Sequence, residues 1–135
     1  MFAEEMKLKI AEIAEKHGLD LVVLFGSSAR GTHRAGSDID IAVFSKHLAD
    51  ISLVAEEIAS AIGRNDVEVA DLSHASSYLM RAVAEDGIVL FESQNDFFEE
   101  WKIYARNVWF DTARLRARQK HALKSWARNY ETKNA

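Results

Sequence analysis

Apolar and polar positions along the chain alternate between two periods. Met6, Ile10, Ile13 and Ala14 fall on one stripe of a helix, which predicts a helix over 2–17 that stops at Gly18. Leu21–Phe25 is an unbroken apolar run of strand length, as a strand buried on both faces requires. Gly26-Ser27 breaks it, a short helix is expected from Ser27 to Arg30, and 32–37 reads as loop. Asp38–Phe44 then alternates, with Asp38, Asp40 and Ala42 on one side and Ile39, Ile41 and Val43 on the other. Asp50 or Ser52 caps a helix running to Ile62, with Ile51, Ala55, Ile58 and Ile62 inward. Asp66–Leu72 alternates as a third strand, and 74–86 reads as a helix with Leu79, Met80 and Val83 inward. Ile88–Phe91 is a fourth strand. From Asp96 onward there is neither Gly nor Pro, and Trp101, Tyr104, Ala105, Val108 and Leu115 recur at helical spacing, followed by Leu123 and Trp126. This is one helix or two, with a break near Asp111-Thr112, and Trp101, Tyr104 and Trp109 are expected to pack in the core. The order predicts an α+β fold with one mixed sheet of about four strands and helices mostly on one face. Residues 1–95 form its core, and 96–135 form a C-terminal helical segment of the same single domain.

Composition narrows the class. The 135 residues are 48% hydrophobic and 28% charged, ordinary for a soluble globular chain. The absence of cysteine excludes disulfides and thiolate metal sites and suits a cytoplasmic location. No apolar run reaches the roughly 18–20 residues of a membrane helix. The start, MFAEEMKLKI, is acidic and amphipathic rather than a signal peptide. The net charge of −4 hides an asymmetry. Residues 1–96 carry 8 Lys and Arg against 17 Asp and Glu, whereas 97–135 carry 9 against 4. The basic tail is either a solvated helix face or a surface for phosphates or an acidic partner.

The chemistry concentrates in LVVLFGSSARGTHRAGSDIDIAVF. Period two places the Asp38 and Asp40 carboxylates on one strand face. Two unit charges about 4 Å apart repel by roughly 4 kcal/mol at an effective dielectric of about 20. A divalent cation removes that repulsion, and hard oxygen ligands without Cys or paired His point to Mg2+ or Mn2+. Taken alone, Asp-x-Asp is better explained by a solvated strand face. Upstream, a strand that ends in Gly26-Ser27 and turns into a helix offers backbone N–H groups and a hydroxyl to an anion. Arg30 lies one turn further on and reaches the same phosphates; Arg34 reads as a solvated loop residue. Alone, Gly-Ser is an ordinary turn. There is no G-x-x-x-x-G-K-[ST] phosphate loop. The five histidines are scattered without ligand spacing, and His33 reads as surface.

Taken together, GSSARGTHRAGSDIDIAVF resembles the signature of the DNA polymerase β-like nucleotidyltransferase superfamily. It is most similar to the minimal nucleotidyltransferase (MNT) antitoxins that pair with HEPN-domain toxins. DVEVADL and EDGIVLFE follow in that subgroup's order, so the resemblance covers residues 1–95. It implies Asp38 and Asp40 as metal ligands and catalytic residues, and Gly26 and Ser27 as triphosphate-binding, with Arg30 and Ser37 beside them. It places a third carboxylate on the next strand, where Glu68 stands in a position many relatives fill with Asp. Glu68 is accordingly a metal ligand, a general base, or neither. The implied reaction is Mg2+-dependent transfer of AMP from ATP to a tyrosine of a cognate HEPN ribonuclease, which silences the toxin. Two other readings stay open: a binding-only antitoxin acting through its basic helix, and a nucleotidyltransferase acting on a small molecule. A homodimer is left open; no membrane partner and no direct nucleic-acid binding are expected.

Overall fold

The computed structural model describes residues 3–31, 38–47 and 50–134. Helix α1 (Glu4–His17) buries Ile10 and Ala14, two positions of its expected stripe. Strand β1 (Leu21–Phe25) leads into a one-turn helix α2 (Ser27–Arg30), and strand β2 (Ile39–Phe44) follows. Helix α3 (Ile51–Ile62) starts where the Asp50 side chain accepts the Leu53 N–H at 3.1 Å. Strand β3 (Val67–Asp71) ends in a 3-10 turn at Leu72–His74. Helix α4 (Ser77–Asp86) begins only at its Ser76 cap, later than the helical pattern from 74 suggests. Strand β4 (Ile88–Glu92), helix α5 (Phe97–Asp111) and helix α6 (Ala113–Asn134) complete the order. The break falls at Thr112, as expected. The Thr112 hydroxyl donates back to the Val108 carbonyl at 2.7 Å, a bond that competes with regular helix at that point.

The sheet is mixed, in the order β3-β2-β1-β4. β1 pairs antiparallel with both β2 and β4, and β2 pairs parallel with β3. The expected α+β architecture therefore holds. Its helices, however, divide between both faces instead of gathering mostly on one. Val22, Leu24, Ile39, Ile41 and Val43 pack against Ile10 and Ala14 of α1 and Val54, Ile58 and Ile62 of α3. Leu21, Val23 and Ala42 pack on the other face against Met80 and Val83 of α4 and Phe98, Trp101 and Ala105 of α5. On this second face of β2, Ala42 is buried and Asp40 is half-buried. In α3 it is Val54, not Ala55, that is fully buried. In α5, Trp101 is buried but Tyr104, at the edge of the stripe, is 59% exposed.

Gly87 joins α4 to β4 where three elements meet. A Cβ there would fall 2.4 Å from the Val83 carbonyl and 2.7 Å from both Phe98 and Val23. Because one of these neighbours is backbone, Gly87→Ala should destabilise the fold by about 2 kcal/mol, in the range for overpacked cores. Urea unfolding checks this; an unchanged midpoint would contradict the packing. Among the described residues no helix is long and apolar enough to cross a membrane.

Candidate active site

The site grows from the end of β1. Gly26 takes φ 73° and ψ −154°, a backbone region open essentially to glycine alone. It turns the chain from strand into α2 and brings the turn against β2. A Cβ on Gly26 would lie 2.5 Å from Asp40 Oδ2. Gly-Ser and Asp-x-Asp, separate in sequence, are thus in van der Waals contact through Gly26 and Asp40. Ser27 opens α2, and the Arg30 N–H closes its turn on the Gly26 carbonyl at 3.1 Å.

The registers Phe25↔Asp40 and Asp40↔Glu68 put Asp40 between β1 and β3. Glu68 is therefore its lateral neighbour and is exposed to solvent. Asp38 precedes β2 and is exposed, while Asp40 is half-buried. Burial pushes the Asp40 carboxyl above its ordinary value; the Asp38 charge pushes the same way, and the Arg30 charge opposes both. The Arg30 guanidinium itself donates to Asp86 Oδ2 at 2.9 Å, at the last turn of α4. Asp71 faces away and accepts the Ser73 N–H at 2.9 Å. Ser37 lies outside the described residues, as do His33 and Arg34.

Among the described residues no three Asp, Glu or His side chains converge as a ready-made metal cage. The donor set nonetheless fits a hard divalent cation. Two carboxylates repel one another beside a turn suited to phosphate, and Mg2+ commonly takes one or two carboxylates and fills its shell with phosphate oxygens and water. Asp86 was not found from the sequence: 56 residues separate it from Arg30, and neither periodicity nor motif links them. A cavity of about 620 Å³ lies between α4 and α5 beside Arg81, Lys102, Ile103, Trp109 and Phe110, and Asp38, Asp40 and Glu68 do not line it.

Residues 8–96 match the family described as polymerase beta, nucleotidyltransferase. The chain belongs to that nucleotidyltransferase family. Over 81 residues the nucleotidyltransferase is 40% identical to the protein adenylyltransferase MntA of Shewanella oneidensis, a match that spans 58% of this chain and 58% of that relative. Its fold is similar to that of a chain in a toxin–antitoxin crystal structure with AMP-PNP, at a TM-score of 0.71 and 30% identity, covering 87% of this chain and 98% of that one. It is also similar to a chain from the structure of the tri-AMPylated Shewanella oneidensis HEPN toxin in complex with MNT antitoxin, at a TM-score of 0.66, 27% identity, and 87% and 96% coverage. These matches bear out the resemblance to the MNT subgroup drawn from the central stretch.

Proposed function

We propose that this nucleotidyltransferase acts in the cytoplasm as an antitoxin, moving AMP from ATP to a tyrosine of a cognate HEPN ribonuclease toxin and releasing pyrophosphate. The observation that carries the reading is the closure of Gly26 on Asp40, which sets a phosphate-binding turn and a carboxylate pair side by side. The similar toxin–antitoxin structures, one with AMP-PNP and one with an AMPylated HEPN toxin, support the choice of nucleotide and acceptor.

The α2 turn holds the triphosphate, through the backbone at Gly26, the Ser27 hydroxyl and, from the adjoining stretch, Ser37. Arg30 neutralises β- and γ-phosphate charge, and Asp86 fixes its direction. Asp38 and Asp40 would hold Mg2+ or Mn2+, which when bound would supply charge neutralisation at the reacting phosphate and a lowered pKa for the nucleophile. The tyrosine oxygen attacks the α-phosphorus in line, the α–β bridging P–O bond breaks, and pyrophosphate departs. Glu68, next to Asp40 and open to solvent, accepts the tyrosine proton. Replacing it with Gln should lower kcat by about 10²-fold, the scale of general-base catalysis, with little change in KM for ATP. Equal turnover in Glu68→Gln would remove Glu68 from the proton path.

The deciding experiment incubates the chain with labelled ATP, Mg2+ and the HEPN protein encoded beside it, then weighs both proteins by mass spectrometry. The expected product is the HEPN protein heavier by one or more AMP units. Label remaining wholly in ATP would overturn the adenylyltransferase reading for that partner.

A further inference from the structure

Helix α6 runs for 22 residues, about 33 Å at helical rise, and none of its described side chains is buried. It still carries large apolar groups: Leu115, Leu123, Trp126 and Tyr130 are 54%, 65%, 63% and 57% exposed. Their spacing of 8, 11 and 15 residues from the first places them on one stripe. In α5 the residues at the same helical spacing, Trp101, Ala105 and Val108, pack against the sheet. No described side chain of α6 joins either buried cluster, so its stripe lies outside the core. Contiguous exposed apolar surface of this kind marks a binding surface.

We propose that α6 is a docking arm for the protein that receives the nucleotide, and that the arm lies in an apolar groove rimmed by acidic side chains. This rests on the transfer reaction proposed above. Charge selects the occupant. Seven Lys and Arg against a single Glu make the helix strongly basic. Arg116 and Arg118 flank the stripe on its two sides, so a second α6 laid against it would set like charges in register and be repelled. An acidic groove satisfies the flanks and dries the stripe at once, in the manner of an amphipathic helix bound in a groove. Nucleic acid would satisfy only the flanks.

The arm is anchored close to the site. The Trp109 ring lies between the Arg81 guanidinium at 4.4 Å and that of Arg116 at 3.3 Å, with Tyr78 edge-on at 5.4 Å. Arg116 belongs to α6, whereas Tyr78 and Arg81 belong to α4. The far end of α4 carries Asp86, the partner of Arg30. Eight residues of helix, about 12 Å, separate Tyr78 from Asp86. A protein held on the arm would therefore lie within one small domain's width of the nucleotide.

The test compares the full-length wild type with a Leu123→Ser/Trp126→Ser variant and an Arg118→Glu/Lys124→Glu variant, all exposed positions. Each is titrated with the HEPN protein encoded beside the chain, and transfer is measured in parallel. Both variants should bind about 30-fold more weakly, the scale of losing one interface hot spot. KM for the HEPN protein should rise in step, with kcat and affinity for ATP within about twofold of wild type. Wild-type binding should weaken as salt rises. If wild type binds but transfers nothing, the transfer reading falls and the affinities alone judge the arm. The arm would be overturned by no wild-type binding, by unchanged affinity in both variants, or by a wild-type self-association that Leu123→Ser/Trp126→Ser abolishes. Capture of RNA that is lost in the charge variant but kept in the apolar one would overturn it in favour of nucleic acid.

Discussion

Asp40→Asn should leave a folded protein that transfers AMP at least about 10³-fold more slowly, a loss of roughly 4 kcal/mol of transition-state stabilisation. The carboxamide keeps the size of the side chain but not the charge that the proposed reaction uses to hold a cation. Stability should move the other way. Asp40 is half-buried beside Asp38, and its carboxyl is pushed above the ordinary value of 3.8. A carboxyl raised in the folded state contributes stability that is fully present below its unfolded pKa. That contribution is lost as pH rises through the folded pKa. At pH 7 without divalent cation the wild type therefore carries an unfavourable ionised group, and Asp40→Asn should melt at the same temperature or higher. The difference should shrink as pH falls through the carboxylate range, where Asp40 becomes neutral too. Thermal melts at pH 7 and in the acidic range where Asp40 is neutral, with the transfer assay alongside at pH 7, separate these outcomes. A variant that unfolds, or that retains activity within about tenfold, would contradict the role given to this carboxylate.

How far the sequence discloses this molecule depends on the range of each interaction. The core of β1 was legible because Leu21–Phe25 is apolar at every position and can only be buried on both faces. The joining of Gly26-Ser27 with Asp38 and Asp40 in one site was legible through the family resemblance of the stretch that holds both; the contact of Gly26 with Asp40 was not. Glu68 was singled out by the family resemblance, and the register of β3 on β2 sets it beside Asp40. Long-range packing was not legible. Nothing local connects Arg30 with Asp86, and nothing in Ala42 or Phe44 announces that α4 and α5 cover them. The error at Tyr104 and the surprise of α6 have one cause: helical periodicity shows which residues share a face, not whether a surface exists to meet it. Along α5 the sheet meets it. Along α6 no described residue buries it, and the same pattern becomes exposed surface.

Gly26→Ala should damage both stability and turnover, through two separable causes. The backbone at φ 73°, ψ −154° costs an alanine about 1–3 kcal/mol. The added methyl would also fall 2.5 Å from Asp40 Oδ2, far inside contact distance. The carboxylate is the free end of its side chain and can swing away, so the contact should cost little stability while displacing a group that holds the cation. A shift of about 1 Å at a reacting centre can lower rate by 10²-fold, and losing an oriented phosphate contact adds to that, so the expected fall is 10²- to 10³-fold. Asp40→Ala separates the two causes. With the carboxylate removed, Gly26→Ala should still destabilise by nearly the full amount, with a coupling energy under about 0.5 kcal/mol, because the strain lies in the backbone. Activity should show the opposite pattern: Asp40→Ala is already inactive, and the second substitution should add almost nothing. Denaturant unfolding of the four proteins of this cycle, with transfer rates for the same four, provides both measurements. Full stability and full activity in Gly26→Ala would mean that the turn does not press against Asp40, and the geometry on which the proposed reaction rests would fall with it.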